Sequence, residues 1–331
     1  MKPNAPRRIL VTGATGFLGG HLVQHLTTNG YDVVAHGRRD AGCHALGLSG
    51  YNVFQWDISA PVNSLEKLDA VDCVVHCAAL SAPFGHLARF EAANIAGTRN
   101  VLDLAAHLNA SRFVFISSPS VYFSLNDQLD VSEDMPLPNP FNAYAATKQK
   151  AEALVLDRPE LCPVILRPRG IYGLNDTTLL PRILRAAKTR PLPLFRNGRA
   201  SIDLTHVDDV VDAIECAINA PAHVEREIFN ISSGEPLAVT DIVDQVCARA
   251  QIAVRWRKTP LAPALCIASV LEYAARLVPA LGEPVATKYG LALFAYAQSL
   301  NISKARTLLG WSPKIRFQDG LEKTFTDGSF V

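Results

Sequence analysis

The run 9-ILVTGATGFLGGHL-22 sets glycines at 13, 16, 19 and 20 between an apolar strand-like stretch and a segment of helical period. No other stretch of the chain narrows the choice of fold so far. In a strand that enters G-x-x-G-x-x-G at the start of a helix, the first glycine permits the tight turn. The second lets backbone approach a pyrophosphate, and the third allows close helix–sheet packing. The helix N-terminus then offers N–H groups and a partial positive charge to phosphates. A plain turn also collects glycine, but it does not require a strand before it and a helix after it.

The downstream pattern agrees with a nucleotide-binding sheet. Strand candidates rich in Val and Ile stand at Ile9–Val11, Val33–Ala35, Val53–Phe54, Cys73–Val75, Phe113–Ile116 and Val164–Leu166. Helical segments are expected at Leu18–Thr28, Leu87–Leu108 and Asn142–Leu156. Continuous apolar strands alternating with helices indicate a parallel sheet covered on both faces. Past about residue 170 prolines punctuate a helix at 181, 191 and 193, and Asn197-Gly198 offers a two-residue hairpin turn. SIDLT (201–205) then reads as a strand and HVDDVVDAIECAI (206–218) as a helix. The expected fold is α/β, a Rossmann doubly wound parallel sheet with a smaller, mainly helical C-terminal substrate domain. Residues 1–173, with returning segments near 203–231, are expected to bind the nucleotide. Residues 174–202 and 232–331 are expected to form the substrate lid.

Charge and cysteine usage exclude several classes. The net charge is +1 with no basic run, which speaks against nucleic acid as a partner. Seven scattered cysteines form no CxxC and no zinc-like spacing, and they fit a reducing, cytoplasmic setting. MKPNAPRR carries no apolar core, so no signal peptide is expected. Leu261–Leu281 is apolar but includes Glu272 and Arg276. A spanning helix needs ~20 apolar residues with few charges. A buried helix of the substrate domain is expected there, in preference to one lying on a membrane surface.

The end of the second strand tests the cofactor. A carboxylate about twenty residues on from the glycines accepts from the ribose hydroxyls of NAD. Here His36-Gly37-Arg38-Arg39 has two arginines and no carboxylate. Guanidinium groups grip a 2′-phosphate, so NADP(H) is preferred, with NAD(H) the alternative.

The chemistry is expected from Tyr144-Ala-Ala-Thr-Lys148, a phenol and an ammonium at i and i+4 on one helix face. An ordinary tyrosine titrates near pH ~10, and a nearby cation favours phenolate, which makes it a better acid–base group. Upstream, FVFISSPSVYF (113–123) ends a strand with Ser117-Ser118 at the sheet edge where ligands bind. A hydroxyl there can hydrogen-bond a substrate oxygen as charge develops on it.

Taken in order, TGATGFLGG (12–20), Asp57-Ile58, DCVVHCAA (72–79), NIAGTRN (94–100), SSPSVYF (117–123), YAATK (144–148) and LRPRGIYG (166–173) resemble the extended short-chain dehydrogenases/reductases over essentially the whole chain. The resemblance implies Ser118, Tyr144 and Lys148 as the catalytic set. Ser118 is taken over Ser117 because the family's serine stands three before the Val of its VY pair, here Val121. It also implies that Gly13, Thr15, Gly16, Phe17, Leu18 and Gly19 hold the pyrophosphate and that Lys148 holds the nicotinamide ribose. Asp57 and Ile58 would meet adenine, Ala78 and Ala79 would line the cofactor, and Pro168 to Ile171 would border nicotinamide. Asn94 resembles a helix-organising residue, and relatives often pair as homodimers.

Many nucleotide-sugar enzymes of this family place an arginine before the H-V-x-D element to reach a diphosphate. The corresponding position here is Ile202, in 201-SIDLTHVDD-209, and isoleucine cannot hold a diphosphate. The late segments are similar to the 3β-hydroxysteroid and sterol-4-carboxylate dehydrogenases and to reductases of 2-alkyl-3-oxo acids. A sizeable apolar alcohol or ketone is therefore the expected substrate. A nucleotide-sugar epimerase or dehydratase is the alternative, and a non-catalytic NADP(H) sensor the remote one. No metal site is expected. His21 and His25 lack further ligands, His76 reads as a satisfied core residue, and the Asp208-Asp209 pair after His206 reads as a helix cap.

Overall fold

The computed structural model describes residues 7–61, 68–278 and 282–326. Seven parallel strands form the main sheet in the order Ile228–Ile231, Pro163–Pro168, Arg112–Ile116, Cys73–His76, Arg8–Thr12, Asp32–Gly37 and Asn52–Gln55. The first strand pairs on both sides: Ile9 faces Val33 across one ladder and Cys73 across the other. The chain order therefore reverses beside Arg8–Thr12, and a crevice opens there at the carboxyl ends of the strands.

Side-chain alternation explains why the strand runs are apolar throughout. Ile9 and Val11 pack with Val75, Val114 and Phe229 against helices Phe17–Thr28 and Val207–Ile218. Leu10, Val34, Val74, Phe113 and Ile165 pack on the other face with Leu102, Ala151 and Val155 of helices Gly97–His107 and Ala143–Leu156. Both faces are thus covered, as a parallel sheet requires. A separate apolar cluster of Leu180, Leu184, Leu192, Ile242, Val246, Phe317 and Leu321 underlies the later segments.

Several local expectations are corrected. The helix expected at Leu87–Leu108 runs without a break from Leu87 to His107, with a π-helical turn at Glu91–Ala96 that its period does not announce. Asn197-Gly198 is not a hairpin. It lies in a short 3₁₀ turn, Arg196–Gly198, with Asn197 at φ 55, and Leu192–Leu194 pairs in parallel with Trp256–Lys258 instead. SIDLT splits: Ser201–Ile202 joins a small sheet beside Leu237–Ala238 and Gln298, while Thr205–His206 pairs with Ile171–Tyr172. The helix after His206 is capped by the imidazole and not by an aspartate, since His206 Nδ1 accepts from the Asp208 N–H at 3.3 Å. Asp209 instead accepts from the Lys314 and Ile315 N–H groups and fastens the C-terminal segment. The described part of the 261–281 segment, helix Leu261–Leu277, buries only Ala268 and Ala275. It is not the buried helix that its composition suggests.

Candidate active site

At the crevice Gly13 adopts φ +72, and a Cβ there would lie 2.9 Å from the backbone of Ala78. A Cβ on Gly19 would sit 2.2 Å from the Gly13 carbonyl oxygen. The first position therefore needs the left-handed region and close contact with the fourth strand's end, and the second lets helix Phe17–Thr28 approach the loop. Thr15 and Gly16 are exposed at the helix start, where no side chain caps the helix and no acidic residue lies in its first turn. Such an uncapped N-terminus beside a glycine cradle fits a dinucleotide pyrophosphate.

His36, at the end of the second strand, ties down this loop. Its Nδ1 accepts from the Gly13 N–H at 3.3 Å and its Nε2 meets the Trp56 carbonyl at 3.0 Å. Burial lowers its pKa to about 4, so the ring is neutral, and these partners assign the proton to Nε2. Beyond the strand end, Arg38, Arg39 and Asp57 are all exposed at the crevice side, while Ile58 is buried against Gly97. Burial acts to raise the Asp57 pKa, but hydrogen bonds from Ser59 and the Arg38 charge outweigh it and the pKa is lowered.

The chemistry-bearing residues meet at the carboxyl edge of the sheet. Ser118 ends the Arg112–Ile116 strand segment and its Oγ accepts from the Ser120 N–H at 3.2 Å. Tyr144 stands in the first turn of helix Ala143–Leu156, capped by Asn142 through a 2.8 Å bond from the Ala145 N–H. Burial raises the Tyr144 pKa; hydrogen bonding from Ser81 and Ser118 opposes that rise, and the nearby Tyr289 phenol adds to it. Lys148 is buried, with Nζ donating to the Ile116 carbonyl at 2.7 Å and lying 4.4 Å from the Phe115 ring centre. Burial lowers its pKa to about 8 against the opposing fields of Glu152 and Cys77. Its charge is aimed at the strand end and Tyr144 is flanked by hydroxyls, so the phenol pKa is raised by burial and not brought toward phenolate as the Tyr-x-x-x-Lys spacing suggests.

Ser117 points elsewhere. Its hydroxyl donates to Glu152, which also takes both arms of Arg167 at 2.8 and 2.6 Å. Asn94 sits in the π-helical turn, where its side chain binds the Leu80 N–H and C=O and donates to Thr147 at 3.0 Å. That ties the loop carrying Ser81 to the Tyr144 helix. His76 is a satisfied core residue between Thr12 at 2.7 Å and Thr98 at 3.1 Å, with its pKa pushed well down by burial. His21 and His25 stitch the first helix to the Leu174 carbonyl and to Glu215. Among the described residues no three His, Cys, Asp or Glu side chains gather as a metal site.

Sequence reasoning missed Ser81 and the wall facing it. Phe123 packs 4.8 Å from both Phe141 and Tyr289, edge to face. Nearby, Arg169 is buried between Asp203 at 3.7 Å and Gln298. Ser81 carried one usable signal, its position just past a strand end at the ligand edge. Tyr289, on helix Lys288–Leu293, carried none. Ile202 packs against the apolar cluster of the later segments.

The model of the NAD dependent epimerase/dehydratase family matches residues 9–232. The 2-alkyl-3-oxoalkanoate reductase of Stenotrophomonas maltophilia is 30% identical over 324 residues, covering 96% of this chain and 98% of its own. The sterol-4-alpha-carboxylate 3-dehydrogenase, decarboxylating, of Saccharomyces cerevisiae is 27% identical over 96% of each chain. Among solved structures, the UDP-glucuronic acid 4-epimerase of Bacillus cereus in complex with NAD superposes with TM-score 0.74 at 26% identity. That match covers 98% of this chain and 100% of the other.

Proposed function

The chain belongs to the NAD dependent epimerase/dehydratase family, and from that premise we propose an enzyme that exchanges hydride between a nicotinamide dinucleotide and a sizeable apolar ketone or secondary alcohol. Substrates of a 3-oxo acid or 3β-hydroxysteroid kind fit best. The observation that carries this reading is the Tyr144 phenol, which is flanked by the Ser118 and Ser81 hydroxyls and lies close to an aromatic wall of Phe123, Phe141 and Tyr289.

The loop from Gly13 to Gly19, with Thr15, Gly16, Phe17 and Leu18, would hold the pyrophosphate. Asp57 and Ile58 would meet adenine, Ala78, Ala79, Pro168 and Ile171 would line the nicotinamide side, and Lys148 would hold the ribose. When bound, the nicotinamide supplies or accepts the hydride. Tyr144 gives a proton to the carbonyl oxygen in reduction and takes it back in oxidation. Its raised pKa keeps it protonated at neutral pH, the form that reduction consumes. The Ser118 hydroxyl hydrogen-bonds the same oxygen as negative charge grows.

A panel of hydrophobic 3-oxo acids and 3β-hydroxysteroids, assayed by nicotinamide absorbance, tests the substrate class. Turnover confined to UDP- or GDP-sugars would overturn it. The nucleotide-sugar reading has the solved neighbours in its favour, but Ile202 lies in an apolar cluster where that reading needs a cation.

NADP(H) is the preferred cofactor because Arg38 and Arg39 stand exposed where a ribose phosphate would reach them. Replacing both by alanine is expected to weaken NADPH binding at least about tenfold, as lost charge-assisted hydrogen bonds should. NADH binding should change little. Equal dissociation constants for NADPH and NADH in the unaltered protein remove the preference.

A pH effect follows from Lys148. Its ammonium is charged below about pH 8 and neutral above it, so cofactor affinity is expected to fall as pH rises through that value. Fluorescence titration between slightly acid and alkaline pH measures this. A flat profile would detach Lys148 from cofactor binding.

A further inference from the structure

Helix Leu261–Leu277 is built the wrong way round for a soluble surface. Ile267, Val270, Tyr273 and Leu277 are 61, 67, 65 and 64% exposed. Their spacing of three or four residues makes them one continuous stripe. The inward contacts are made by small residues, Ala268 and Ala275, and by Glu272, whose Oε1 accepts from the Lys288 N–H at 2.7 Å. The helix is thus fastened by its small and polar side and presents its apolar side outward. Exposed apolar stripes of this extent mark interaction surfaces.

The charge around the stripe indicates what covers it. The whole chain carries +1, yet residues 179–190, 252–278 and 282–293 hold nine basic side chains and two acidic ones. Arg257 and Lys258 are exposed on the strand that leads directly into the helix. That strand pairs with Leu192–Leu194, which follows the helix bearing exposed Arg182, Arg185 and Lys188. Arg190 donates to the carbonyl of Val285, itself 76% exposed. No helix among the described residues is long and apolar enough to cross a membrane.

We propose that helix Leu261–Leu277 and its basic surroundings form a docking face for an anionic lipid surface. The apolar stripe lies at the boundary of headgroups and acyl chains, and the arginines and lysines meet the lipid phosphates. A second copy of this chain would cover the stripe equally well, but the excess of basic over acidic side chains beside the stripe would repel the same excess on the copy. Glu272 fastens this helix to the one bearing Tyr289 of the aromatic wall. Lipid binding does not rest on the reductase reading.

The test is co-sedimentation of the full chain with vesicles of phosphatidylcholine, with and without phosphatidylglycerol. The expected result is binding to the anionic vesicles that is at least about tenfold weaker on phosphatidylcholine alone and weaker again at high salt. The double substitution Ile267→Glu/Val270→Glu is expected to weaken binding at least about tenfold. Both positions are exposed, so reduction of a water-soluble ketone and the thermal midpoint should be unchanged. Absence of sedimentation with either vesicle overturns the proposal, as does equal binding by the double variant. So does a dimer in solution that this variant converts to monomer, which would give the stripe to a second copy. Loss of turnover with intact vesicle binding would strike the proposed reaction and leave the docking face standing.

Discussion

Replacing Tyr144 by phenylalanine is expected to lower kcat by roughly 10²–10⁴-fold, the span that a positioned proton donor contributes. The dissociation constant of the nicotinamide cofactor should stay within about twofold, because the change removes no charge. Phenylalanine keeps the ring, including its contact with Phe90 at 6.5 Å between centres, and deletes only the oxygen that Ser81 and Ser118 flank. The helix keeps its Asn142 cap and the Thr147 bond from Asn94, so folding should survive. Ser118→Ala should cost less, since the phenol retains Ser81 as a neighbour. The rate and the affinity must be read separately. A loss of cofactor binding equal to the loss of rate would mean that Tyr144 supports the fold of the crevice, and near-normal turnover would end the assignment outright.

How far this site could be read from the sequence depended on how local each demand was. The glycine loop was legible because Gly13 and Gly19 answer to backbone contacts within one strand, turn and helix. Tyr144 and Lys148 share one helix face, so spacing alone placed them together. The family's spacing to Val121 pointed to Ser118 over Ser117, and the fold turns Ser117 away onto the buried Glu152. Ser81, Phe123 and Tyr289 reach the same edge from three distant segments, and no period in the chain announces that convergence. The apolar run near residue 270 failed for a different reason. Hydrophobic periodicity locates an apolar face but does not say which way the face points, and here it points out.

The largest stability effect is expected at Glu152. This carboxylate and Arg167 form a bidentate pair with side chains 5% and 2% exposed, joining helix Ala143–Leu156 to strand Pro163–Pro168. Ser117 donates to the same carboxylate, and Arg167 also reaches the Tyr122 hydroxyl, which donates to Asn230 at 3.0 Å. Glu152→Gln keeps the shape but leaves a guanidinium buried without its countercharge, which costs about 3–5 kcal/mol. Denaturant midpoints would report that loss, and Glu152→Met/Arg167→Met should recover much of it, because an apolar pair carries no buried charge. A double variant that loses the sum of what the two single variants lose, with no coupling, would show that the ion pair is not what holds the helix. A second readout separates this clamp from mere packing. Glu152 lies one turn after Lys148 and its field holds the Lys148 pKa up, against burial that has already brought it to about 8. In Glu152→Gln the ammonium should therefore lose its proton at lower pH, and the alkaline decline in cofactor affinity should move in the acid direction. A destabilised variant whose pH profile does not move would leave Glu152 as a structural residue alone.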